Sequence, residues 1–329
     1  MPHTKNPNLN YYLNRKVEEL IQLENYPIDE GLKERHRLYS SLLMSITKYY
    51  WNGNKEGRDG VYPLNPIKYG KYEFDNYLGH NIASIAVDAY GDVIDFEFNH
   101  NKVFNSSAEH AESRMVRRIY YLTQINDSWK TSLEPHKSRD DYSTFEDVTL
   151  YTTLESCSQC AGVMALARVK EIVYLQTDPG MYLVGNILRN LTRPISGIPN
   201  STGGLTSPMP ISGADFDFEY FNRLNESFSK FPELLKSSPF YKPNNPQLPE
   251  KKNPSITSFL CTKSAFEIYS NAFDEFGSLA VDDLKFPDYK PLKNGKVLEN
   301  AKTNQFVLAE IKDFYQYATV SGKRATPHK

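Results

Sequence analysis

The chain predicts an α/β layered domain, and three observations carry that expectation. Two strand-like runs, IASIAVDA (82–89) and DVIDFEF (92–98), are split by Tyr90-Gly91, a hairpin signal. Two more, VTLYTTL (148–154) and EIVYL (171–175), bracket a short helical stretch at 156–169. A further stretch, EHAESRMVRRIYYLTQ (109–124), places Ala111, Met115, Ile119 and Leu122 on one helical face. Strands that alternate with helices form a layered sheet, and those joined by a crossover helix run parallel.

The remaining elements follow from the same periodicities. LNRKVEELIQLE and EGLKERHRLYSSLLMSITKYYW, within 10–51, read as helices, and the polar, Gly-bearing stretch 52–60 ends them. Residues 190–255 are rich in Pro, Gly, Ser and Asn and predict a long excursion with little regular structure. SITSFLC (255–261) reads as a strand, 263–276 as an amphipathic helix and 299–319 as a final helix. The expected organisation is a helical N-terminal extension (1–75) and a central domain (76–280) with insertions at 127–146 and 190–254. A helical tail follows at 281–329.

Composition excludes several classes. Charged residues are 24% of the chain and the net charge is −2, so no global field attracts nucleic acid or an anionic membrane. RNA binding is therefore not favoured by charge, although a local patch is open. No apolar run resembles a signal peptide or spans a bilayer, which makes the cytoplasm the expected compartment. Three cysteines, an odd count, argue against a disulfide framework.

Two of those cysteines, Cys157 and Cys160, sit in TLESCSQCAGVM. A C-x-x-C in a reducing compartment is metal-binding or catalytic more often than a staple. Residues three apart at a helix start share one face, and the helix dipole favours their thiolates. Zinc takes such ligands, and a catalytic site keeps three of them with one open position. HAE at 110–112 offers a third ligand, His110, with a carboxylate, Glu112, beside it. Glu112 would then serve as proton shuttle for a bound water.

His-x-Glu followed by Cys-x-x-Cys resembles the signature of the cytidine deaminase superfamily, and LYTTLESCSQCAGVMALARVKEIVYLQTDPG is similar to its second motif. The likeness is strongest to the tRNA adenosine deaminase and guanine deaminase branch, and it covers roughly residues 80–190. It implies a three-layer α/β/α fold with a mixed central sheet. It also implies Zn2+ on His110, Cys157 and Cys160, and Glu112 as the catalytic acid–base.

Asn99, Ala111 and Glu155 fall where that family contacts substrate. For Asn99 a turn-forming role stands beside this, and for Glu155 a helix-capping one. The backbone N–H of Cys157 is the implied oxyanion donor. The activity implied is hydrolytic deamination of a nucleobase or nucleoside, an amino-purine favoured. A cytidine-type or secondary-metabolite base, and a non-catalytic partner subunit, are the alternatives. A homodimer is also open.

Where the family carries proline before the first cysteine, this chain has Ser156. With Gln159 it forms an S-x-x-Q pattern, which predicts a capping box at the motif helix. Arg114, Arg117 and Arg118 read as a solvated helix face. Cys261 reads as a buried apolar residue, and 242–252 as a linker. His3, His36, His80, His100, His136 and His328 show no ligand spacing.

Overall fold

The computed structural model describes Lys16, Glu19 and residues 27–51, 79–101, 104–130, 145–181, 208–237, 255–293 and 295–321. All but two residues of the first predicted helix, most of 127–146 and the linker at 242–252 lie outside them.

Five strands form one mixed sheet in the order β2-β1-β3-β4-β5. They are β1 (Ala83–Val87), β2 (Val93–Phe98), β3 (Thr149–Thr152), β4 (Glu171–Tyr174) and β5 (Met209–Ser212). β1 pairs antiparallel with both β2 and β3, whereas β3, β4 and β5 run parallel. The predicted hairpin is present, with Ala83 opposite Phe98 and Val87 opposite Val93. Asp88 Oδ1 accepts from the N–H groups of Tyr90, Gly91 and Asp92 and so closes the turn. Gly91 sits at φ +98, a conformation that a side chain rarely adopts.

Alternate strand residues feed two cores. Ala86, Leu150 and Ile172 meet Met115, Val116 and Ile119 of α2 (Ala111–Lys130) and Met164 of α3 (Ser158–Leu166). On the other face, Ile85, Val87, Tyr151 and Val173 join α1 (Glu30–Tyr49), whose Leu38, Leu42, Leu43 and Ile46 are buried. Each buried Val, Leu, Ile or Met among them contributes about 1.5–3 kcal/mol. The layers are therefore helix, sheet and helix, as expected of a three-layer α/β/α fold. Leu122, expected on the buried face of α2, is instead partly exposed.

α1 is capped by Asp29, whose carboxylate accepts from Gly31 and Leu32 N–H. α1 packs beneath β1 and β3 and against two later helices, α6 (Lys263–Ser278) and α7 (Asn304–Gln316). The N-terminal and C-terminal helices thus share one core with the sheet.

Two expectations are corrected. SITSFLC is no strand: Ile256–Phe259 is a single helical turn, α5, begun by Ser255, whose hydroxyl accepts from Ser258 N–H. The fifth strand comes instead from MPIS at 209–212, inside the stretch expected to lack regular structure. That stretch also holds α4 (Glu219–Ser237). Pro210 lies opposite Ile172 in the register, and β5 tolerates it because it is the edge strand.

One buried group gives the fold a pH dependence. His36 of α1 is 1% exposed, and its Nδ1 lies 2.9 Å from the Tyr151 hydroxyl. Burial pushes its imidazole from the ordinary 6.5 down to about 4. A histidine depressed in the folded state binds protons more readily when unfolded. Stability is then full above the ordinary value and falls as pH drops from there toward the folded value. The loss approaches about 3 kcal/mol. Denaturant titrations between neutral pH and about pH 4 should show this slope, and His36→Gln should make it shallower, leaving the share of His100, which burial also draws down to about 4. An equally steep slope in the variant would place the sensitivity elsewhere.

Candidate metal centre and active site

The site forms where α2 and α3 begin, beside the carboxyl end of β3. Asn99, just past β2, turns its Oδ1 onto Ala111 N–H at 2.7 Å and so supplies the first turn of α2 with an acceptor. Glu109 braces the same turn: Arg114 and Arg117 both pair with it at 2.7 Å, and Arg114 also reaches Glu97 of β2 at 3.2 Å. Arg118 pairs with Asp95 at 2.9 Å. Of the arginines expected on a solvated face, Arg114 and Arg118 tie α2 to β2, while Arg117 and Arg118 keep the exposure expected of them.

His110, Cys157 and Cys160 converge, their ligand atoms all within 4.8 Å of one another. His110 Nδ1 lies 3.4 Å from Cys157 Sγ and 3.6 Å from Cys160 Sγ. Around a tetrahedral zinc, bond lengths to thiolate and imidazole place neighbouring ligand atoms about 3.5 Å apart. The donor set and its spacing both fit zinc. Among the described residues these three form the one such cluster found.

The two thiols shift in opposite directions. Cys157 is drawn down to about 4, first by the hydrogen bond from Cys160 and then by the one to His110. Cys160 is held well above the thiol range by its bond to Cys157, by burial and by the Glu112 charge. His110 is raised, chiefly by its hydrogen bond to Cys157. A metal would displace any thiol proton, since only thiolates ligate.

Glu112 is 3% exposed. Burial raises its carboxyl above the ordinary range. Its Oε2 is 3.6 Å from Cys160 Sγ, and its Oε1 accepts from Ser156 Oγ at 2.9 Å. The expected capping box is therefore corrected: the N-cap of α3 is Cys157, with no side-chain cap, and Gln159 reaches Ala108 O at 3.2 Å. The Ser156 hydroxyl finds a buried carboxylate instead, where desolvation makes a donor worth more than at a helix end.

Glu155 does not cap α3 either. Its Oε2 accepts from Asp178 N–H at 2.7 Å and ties the loop before α3 to the loop after β4. Asn99 and Ala111, both expected at substrate, bond to each other. Sequence reading missed Ser113, whose Oγ lies 3.4 Å from Cys160 Sγ. Its place next to Glu112 and one helical turn after His110 was the available signal. Cys261 is buried as expected. His100 is also buried and stands outside the metal cluster.

Residues 67–176 match the family described as "Cytidine and deoxycytidylate deaminase zinc-binding region". Over those residues the chain is similar to the zinc-binding region of the cytidine and deoxycytidylate deaminases. A "tRNA-specific adenosine deaminase 2" of Xenopus tropicalis is 32% identical over 116 residues, which are 35% of this chain and 55% of that protein. The chain thus spans about half the length of that curated relative.

Among solved structures, one from a study of tRNA:A34 deaminases is 22% identical and covers 40% of this chain and 82% of its own, with a TM-score of 0.26. A guanine deaminase from Bacillus subtilis is 18% identical over 40% of this chain and 76% of its own, at the same TM-score of 0.26. Superpositions at that level carry no weight, so the likeness to that family rests on the sequence match and on the local site. No helix among the described residues is long and apolar enough to cross a membrane.

Proposed function

We propose that the chain is a zinc-dependent hydrolytic deaminase that exchanges a ring amino group of a nucleobase or nucleoside for oxygen. One observation carries this: a buried carboxylate, Glu112, stands beside a three-ligand cluster inside a deaminase-type zinc-binding region. His110, Cys157 and Cys160 would hold the metal. Bound zinc supplies Lewis acidity that makes water a usable nucleophile near neutral pH.

Glu112 does the proton work. Burial raises its carboxyl, which brings its affinity for a proton closer to what general acid–base catalysis at neutral pH requires. It takes a proton from water and delivers protons to the ring nitrogen and the departing amine. A C–O bond forms, a C–N bond breaks and ammonia leaves. The N–H of Cys157, at the N-cap of α3, is placed in the field of the helix start and would stabilise negative charge on oxygen. Asn99 and Ala111 would contact the base by exchanging their mutual hydrogen bond for bonds to it.

An amino-purine is the favoured substrate, supported by the identity to a protein named for adenosine deamination. RNA as substrate enters on the same ground, against a net charge of −2 that offers the phosphate backbone no global attraction. A non-catalytic partner subunit would have no use for a buried acid facing the metal ligands. Ammonia release from adenine, guanine, adenosine, cytidine and tRNA tests the reading. Turnover confined to cytidine would replace the purine assignment.

A further inference from the structure

We propose that Ser156 is a positioning residue for the deaminase chemistry: its hydroxyl fixes which carboxylate oxygen Glu112 presents to the metal ligands. This rests on the proposed deaminase reading.

The geometry is specific. Ser156 Oγ donates to Glu112 Oε1 at 2.9 Å across 44 positions of sequence, and both residues are 3% exposed. The other oxygen, Oε2, is the one beside Cys160 Sγ. With Oε1 held, the carboxylate plane is set and Oε2 faces the His110, Cys157 and Cys160 cluster. Once Cys160 ligates zinc as a thiolate it no longer donates, and the Ser156 hydroxyl remains as the side-chain donor on Glu112.

The hydroxyl is itself anchored. Glu155 N–H donates to Gln176 O at 2.8 Å, and Glu155 Oε2 accepts from Asp178 N–H at 2.7 Å. Cys157, on the other side of Ser156, is committed to the cluster. The segment is therefore pinned on both flanks, and a short side chain with one hydroxyl has little room to wander. Proline, which the resembled family carries at this position, has no donor to offer. The device belongs to this chain. A catalytic group held in one rotamer avoids the reorganisation that a freely turning carboxylate would need before each proton transfer.

A purely structural role makes a different prediction, because a serine that only satisfies a buried acid would affect melting and not turnover. The test compares wild type, Ser156→Ala and Ser156→Thr as zinc-loaded proteins on whichever substrate turns over. Ser156→Ala should keep its zinc and KM and lose about tenfold in kcat, the effect of removing one hydrogen bond to a charged group. Ser156→Thr, which keeps the hydroxyl, should recover most of it.

Melting temperatures of Ser156→Ala, Glu112→Ala and the double variant give a readout independent of activity. The two single shifts should not add, because each variant removes the same bond. Unchanged kcat in Ser156→Ala, or additive melting shifts, overturns the role while leaving the deaminase reading intact. Absence of ammonia release from the wild type removes the deaminase reading, and the role with it.

Discussion

Glu112→Ala should retain zinc and fold, yet lose deamination by about 10²–10⁴-fold. The three ligand atoms belong to His110, Cys157 and Cys160, so the substitution leaves the metal cluster intact. What disappears is the buried group within 3.6 Å of a ligand sulfur that can accept and return protons. One residue serves more than one transfer, which argues for the upper part of that range. Removing a buried carboxyl also relieves its desolvation, so the variant should melt no lower than wild type unless the Ser156 bond outweighs that relief. Ammonia release and zinc content measured on the same preparation decide it. A variant that remains active would show that Glu112 is not the acid–base.

Cys157→Ala should lose both zinc and activity. Two ligands remain, and a site with two protein ligands does not hold the metal of a three-ligand catalytic centre. The thermal consequence is a linkage effect: metal that binds only the folded chain stabilises it by about 2.7 kcal/mol at a free concentration one hundred times its dissociation constant. Wild type should therefore melt higher as free zinc is raised, and Cys157→Ala should not respond. Elemental analysis of both proteins gives the stoichiometry. An unchanged zinc content in the variant would place the metal elsewhere.

The parts of the molecule that were legible in the sequence are those in which local chemistry and the global fold agree. The β1–β2 hairpin was visible because two strand-like runs flank a turn that needs glycine, and Gly91 supplies it. α1 was visible from its apolar spacing. The candidate metal ligands were visible because the two motifs fix both residue type and spacing.

What was hidden depends on partners far away in sequence. β5 is four residues with a proline, and only its pairing to β4 makes it a strand. SITSFLC reads as a strand from its short apolar run, and the Ser255 cap makes it a helical turn instead. Ser156 and Glu155 each had a plausible local capping role. Each is drawn instead to a partner from another segment, Glu112 and Asp178, because a buried carboxylate gains more from a donor than an exposed helix end loses.

The central claim, zinc-dependent deamination, is tested most directly by ammonia release during zinc titration of the chelator-stripped protein. The substrates are an amino-purine base, its nucleoside and tRNA. The account predicts that ammonia production from at least one of them rises with added zinc and levels off at one zinc per chain. Ammonia release that is already complete without zinc, or none from any of these substrates at full zinc loading, would contradict it.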